Sequence, residues 1–187
     1  MEKLVINGII FYWVKGKWSD MMDRKIAELM AAMIEYDKGD ARRIQHFVKV
    51  HDLAAAIGTL EDMEADELFV LEAAAILHDI GIHVSEAKYG SCSGKYQELE
   101  GPGEAEKLLH QLGGFTAEQI ERIKYLIAHH HTYAEIDGLD YQILVEADFL
   151  VNLYEDNVPA SAVKSVQEKI FKTGTGLAML KNMFAID

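Results

Sequence analysis

From residue 19 onward, apolar positions recur at three- and four-residue spacing, the period of helices that bury one face. The first such segment runs from a capping Ser19 to about Tyr36, with Met22, Ile26, Leu29, Met30 and Met33 on one stripe. Lys38-Gly39-Asp40 breaks the pattern, and a second helix is expected from about Ala41 to Ile57, stopped by Gly58. A third covers about Ala65 to His78 and stops at Gly81. The periodicity then lapses from Ile82 to Gly101, where Tyr89-Gly90-Ser91-Cys92-Ser93-Gly94-Lys95 reads as a long loop. Pro102 suits the first turn of a fourth helix that ends at Gly113-Gly114. Thr116 and Gln119 form a capping-box pattern opening a fifth, through Ile127. A sixth spans about Leu139 to Tyr154 and a seventh Pro159 to Phe171. Thr173-Gly174-Thr175-Gly176 then sets off a short last helix. Before residue 19 the pattern differs: Leu4-Val5-Ile6 and Ile9-Ile10-Phe11 flank Asn7-Gly8, a hairpin-turn dipeptide. The expected class is all-α: a helical domain over 19–187, preceded by an appendage over 1–18 that carries the hairpin.

Half of the 187 residues are hydrophobic, enough for a sizeable core in one domain. Lys+Arg 18 against Asp+Glu 31 gives a net charge of -13, which argues against a protein that grips a nucleic-acid polymer by its backbone. A small phosphorylated ligand is still compatible with that charge, because a bound metal supplies positive charge locally. The single cysteine, Cys92, rules out a disulfide framework within one chain and suits a reducing cytoplasm. The apolar run Leu4 to Val14 is too short to span a bilayer, and Lys15-Gly16-Lys17-Trp18 follows it in place of a leader cleavage site. No membrane partner is expected, and the apolar N-terminal segment suits a homodimer contact.

Four residues of metal-ligand type fall on the apolar stripes. His46 aligns with Val50, Leu53 and Ile57. His78 ends the stripe Leu68, Leu71, Ala75, and Asp79 follows it. Asp148 sits among Leu144, Val145 and Val151. A lone inward histidine is usually a hydrogen-bonded core residue, and a lone aspartate a cap or ion-pair partner. An ionised aspartate on a buried stripe, however, needs a metal, an arginine or backbone donors to compensate it. Three helices bringing imidazole and carboxylate inward together suit Mn, Fe, Zn, Ni or Co, with Mg less natural for histidine.

Arg43-Ile44-Gln45-His46, Leu77-His78-Asp79-Ile80-Gly81 and Glu146-Ala147-Asp148-Phe149-Leu150 together resemble the H…HD…D signature of the HD-domain phosphohydrolase superfamily, over about Asp40 to Leu153. The resemblance implies an all-helical core and one divalent ion held by His46, His78, Asp79 and Asp148. It also implies hydrolysis of a phosphate ester or anhydride, a nucleotide or related small molecule, by water activated at the metal. Asp79, with His78, is the expected catalytic group, as ligand and as proton acceptor. Two-metal members usually carry a further histidine near the start of the helix after the HD loop. Here that region reads Glu98-Leu99-Glu100-Gly101-Pro102-Gly103-Glu104, which argues against a second metal, with Glu98 or Glu100 as substitute carboxylates.

His129-His130-His131 is a polar helix end or a further part of the site, with His130 the preferred substrate or supporting contact. Lys88, Ser91, Ser93 and Lys95 lie beside glycines that allow close backbone approach to a phosphate, so the loop is the expected anion-binding element. Arg43, one turn before His46, could pair with Asp148 or Asp79 or hold a phosphate. The expected substrate contacts are thus Arg43, Ser91, Lys95 and His130. His51, His83 and His110 read as surface or loop histidines, and Trp13 and Trp18 as core or dimer contacts. Two other functions fit the same motif: a di-iron oxygenase of this fold, which needs more ligands than four, and a non-catalytic nucleotide-sensing module.

Overall fold

The computed structural model describes residues 2–6, 9–13 and 23–186. Strands β1 (Glu2–Ile6) and β2 (Ile9–Trp13) pair antiparallel with Ile6 opposite Ile9. Asn7, Gly8, Trp18 and the expected cap Ser19 lie outside the described residues. The described helices are α1 (Arg24–Tyr36), α2 (Ala41–Leu60), α3 (Ala65–Leu77), α4 (Ile82–Tyr89), α5 (Gly94–Leu112), α6 (Ala117–Ile127), α7 (Leu139–Glu155), α8 (Ala160–Lys169) and α9 (Gly174–Phe184). The helical domain is therefore all-α.

The α3 helix is the centre. Its run Leu71 to Leu77 is apolar on almost every side, and a helix apolar all round must be enclosed. It packs against α1, α2, α6 and α7. By length and composition the stretch Ala65–Tyr89 would pass for a membrane span, but most of it is packed inside the protein. The other helices present one stripe to this core: Ile26, Leu29 and Met33 from α1, Val50, Ala54 and Ile57 from α2, and Ile123 and Leu126 from α6. Asp23 caps α1 by accepting from the Lys25 N–H, and Thr116 with Gln119 forms the full capping box of α6.

Several expected boundaries are corrected. Gly58 does not stop α2, which runs on to Leu60. A Cβ there would stand 2.8 Å from Leu68 Cδ1, so the missing side chain lets α3 approach. The expected long loop over residues 82–101 is also absent. It is α4, closed by Gly90 in the left-handed conformation, and the first turns of α5. Pro102 lies inside α5 rather than at its start. Tertiary packing of the flanking Gly101 and Ala105 outweighs the helix-breaking tendency of proline. His51 is not a surface histidine. It is buried on α2 between the carboxylates of Glu72 and Asp52, each 3.0 Å away.

Candidate metal centre

The histidine–aspartate dipeptide occupies the turn directly after α3. Gly81 ends that turn where two backbones touch: a Cβ on it would lie 2.8 Å from the Gln97 carbonyl oxygen and 2.8 Å from the Gly101 nitrogen. Only glycine permits this approach, and it fixes the turn against α5. His78 Nδ1 donates to the Ala75 carbonyl (2.8 Å), which leaves Nε2 pointing inward as a lone-pair donor. His46 reaches the same point from α2 and Asp148 from α7.

The structure brings these four residues together. His46 Nε2 stands 3.2 Å from His78 Nε2 and 3.2 Å from Asp148 Oδ1. Asp79 Oδ2 is 3.7 Å from His46 Nε2 and 3.6 Å from His78 Nε2, and Asp148 Oδ1 is 3.6 Å from His78 Nε2. Donor atoms about 2.1 Å from a shared ion stand roughly 3.0–3.4 Å apart at octahedral or tetrahedral angles. The observed separations are close to that cage. The two imidazole Nε2 atoms stand too close together for both to carry protons comfortably, and a cation shared with the two carboxylates would relieve that repulsion.

The electrostatics agree. Burial disfavours the imidazolium of His78, but the neighbouring Asp79 and Asp148 carboxylates outweigh it and push its pKa up to about 9. His46 is likewise raised, burial being overcome by its bond to Asp148. Burial would raise Asp79, yet His78 and His130 pull it down to about 2, and His46 and His78 hold Asp148 lower still. The carboxylates thus favour protonation of these imidazoles, so a metal ion would compete with protons for the two histidines. The residues fit a divalent ion of borderline type.

The second cluster lies beside the first. Asp79, His130 and His131 also offer atoms within 4.8 Å of one another. His130 Nδ1 donates to the Ile127 carbonyl (2.8 Å), and its buried Nε2 has no hydrogen-bond partner and stands 3.6 Å from Asp79 Oδ1. His131 Nε2 faces Gln97 Oε1 at 3.2 Å, and burial with the neighbouring His130 pushes its pKa down to about 4. His129 instead donates to the Tyr125 carbonyl. Glu98 accepts from the His131 N–H and Thr132, and Glu100 is bonded to Lys88 and Tyr89.

A cavity of about 500 Å³ opens over the first cluster, with His46 and Asp79 in its wall. Arg42, Arg43, Asn152 and Glu155 also line it. Arg43 does not pair with Asp79 or Asp148. It is held by Asp40, by Glu86 (2.6 Å) and by His83 (2.9 Å), because α4 runs past α2 where a loop was expected. Ser91 and Lys95 do not line the cavity; the Ser91 hydroxyl accepts from the Ser93 N–H and Lys95 is exposed. The residues that sequence reasoning missed are Asn152, which donates to Asp148 Oδ1 (2.8 Å), and Glu155, which accepts from His46 Nδ1 (3.2 Å). Both follow Asp148 on α7 at four and seven residues, a helical spacing that could have revealed them. A second cavity of similar volume, between Asp66, Thr116, Arg122 and Asp140, lies apart from these clusters.

Three comparisons bear on the chain. The family model for the HD domain matches residues 43–164. A crystal structure of a predicted HD superfamily hydrolase from an uncultured Thermotogales bacterium is similar, with 26% identity and a TM-score of 0.64. The match covers 91% of this chain and 92% of that one. No curated protein matches the sequence.

Proposed function

The chain belongs to the HD-domain family of metal-dependent hydrolases, and we propose that it hydrolyses the phosphate ester or anhydride bond of a small molecule, a nucleotide or a related compound. The observation that carries this reading is that His46 and Asp79 line the 500 Å³ cavity. A volume of that order suits a nucleotide-sized ligand.

His46, His78, Asp79 and Asp148 would hold the ion. Bound there, a divalent metal supplies Lewis acidity, polarising a phosphoryl oxygen and making water a stronger nucleophile near neutral pH. Asp79 directs Oδ1 toward His130 Nε2 at 3.6 Å, so this carboxylate can take up a proton released from water and pass it toward the lone pair of that nitrogen. Arg42 lines the cavity and makes no ion pair among the described residues, which suits it to grip a phosphate. Arg43 forms the wall behind it, already engaged with carboxylates.

The test is a panel of nucleotides and phosphate esters assayed with Mn(II), Co(II), Ni(II), Zn(II) and Fe(II). The double substitution His78→Ala/Asp79→Ala should abolish both bound metal and turnover. Full activity in that variant would sink the reading, and binding without turnover across the panel would favour a sensing module. The Asp79, His130 and His131 group supports a second ion, and two iron atoms per chain by elemental analysis would revive the oxygenase alternative.

A further inference from the structure

Three inward histidines of this centre orient themselves in two different ways. His78 and His130 each place Nδ1 on a backbone carbonyl three residues earlier, a neutral acceptor supplied by their own helix end. His46 cannot do so, because its Nδ1 leaves α2 and reaches Glu155, the last residue of α7, at 3.2 Å. Glu155 is partly buried at the cavity wall, its side chain 14% exposed, and its other oxygen is bound by Lys49 of α2. Glu155 and Asp148 are seven residues apart, so one face of α7 presents a carboxylate to each nitrogen of the same imidazole. Asp148 meets Nε2 and Glu155 meets Nδ1.

We propose that Glu155 is a positioning residue for the metal, fixing the ring plane and tautomer of His46 and raising its donor strength by sharing the Nδ1 proton. Lys49 in turn holds the carboxylate in register. A carboxylate behind a ligating histidine makes the imidazole more basic than a carbonyl does, and removing such a partner typically costs about 10–100-fold in metal affinity. Glu155 is not itself a ligand: its oxygen is engaged on the far side of the ring from the cluster. The inference rests on the metal-binding half of the reading above and not on the substrate.

The test is Co(II) binding to the whole chain by calorimetry, with thermal unfolding of the metal-free protein measured beside it. Glu155→Ala should weaken Co(II) binding about 10–100-fold. Glu155→Gln, which keeps shape and an acceptor but no charge, should recover only part of that loss. Lys49→Met should weaken binding by a smaller factor than Glu155→Ala. Unchanged affinity in Glu155→Ala would overturn the proposal. So would a loss in Glu155→Ala that Glu155→Gln fails to lessen while both variants unfold at equally lowered temperature, since that pattern marks a merely structural contact. An unsubstituted protein that binds no Co(II) would overturn it as well. One that binds Co(II) with this dependence yet cleaves no phosphate compound would sink only the phosphohydrolase reading.

Discussion

Two buried carboxyl groups sit two residues apart on α7 and have opposite surroundings. Glu146 is fully enclosed, and protein donors saturate it: the Gln142 amide, the Lys172 and Thr173 N–H groups, and the Thr173 hydroxyl. Asp148 is almost as buried, yet it faces His46 and His78, titratable groups that converge with it on one point beside the cavity. The first is a joint that anchors the segment leading into α9. The second converges with three other groups that could hold a metal ion. Burial alone does not tell them apart; the identity of the partners does.

The same contrast appears within α2, where His51 is closed off by Glu72 and Asp52 while His46 looks toward the cavity. The contrast would break first at Glu146. Glu146→Ala strands several buried donors, and unfolding in urea should show a loss of about 3 kcal/mol or more. Metal stoichiometry per folded molecule should stay as it was. If Glu146→Ala instead lost metal at unchanged stability, the two carboxyls would have exchanged roles.

His51→Phe should come next, costing about 2 kcal/mol at pH 6 by the same measurement. Its sign with pH is fixed by the structure. Burial disfavours the imidazolium, but the bonds to Glu72 and Asp52 outweigh it, so the folded pKa lies above the ordinary value near 6.5. A raised pKa means that the contribution is complete below the unfolded value and fades as pH climbs through the folded one. The gap between the parent protein and His51→Phe should therefore narrow from pH 6 to pH 9. The smallest effect is expected at Thr116→Ala, which opens the capping box of α6 and should lower stability by about 1 kcal/mol with metal affinity untouched.

His46, His78 and Asp148 are legible because each is a polar group on or at the end of an otherwise apolar helical stripe, which needs no tertiary knowledge, and Asp79 is legible through the HD signature that it completes. The capping box at Thr116 was legible for the same reason, being wholly local. Partner identity was not local. His51 looked like a surface residue because Glu72 lies 21 residues away, on α3. Arg43 is free for the site in the sequence pattern because nothing local shows that Glu86 and His83 lie on a helix running past it. Glycine and serine near residue 91 give the whole stretch a loop-like composition, although only a short turn separates α4 from α5. Glu155 escaped notice because it ends α7 among exposed residues, although its spacing from Asp148 placed it on the same face.

The Gly81–Gly101 contact has a mechanical consequence. Helix α5 touches the aspartate-bearing turn there with bare backbone, and at its start Gly94 lies against the His131 ring, where a Cβ would come within 2.6 Å. A single rod thus braces both donor groups from behind. Bending it would change the distance between Asp79 and His131, so the spacing of the two groups is a dimension of α5 and not of either turn alone.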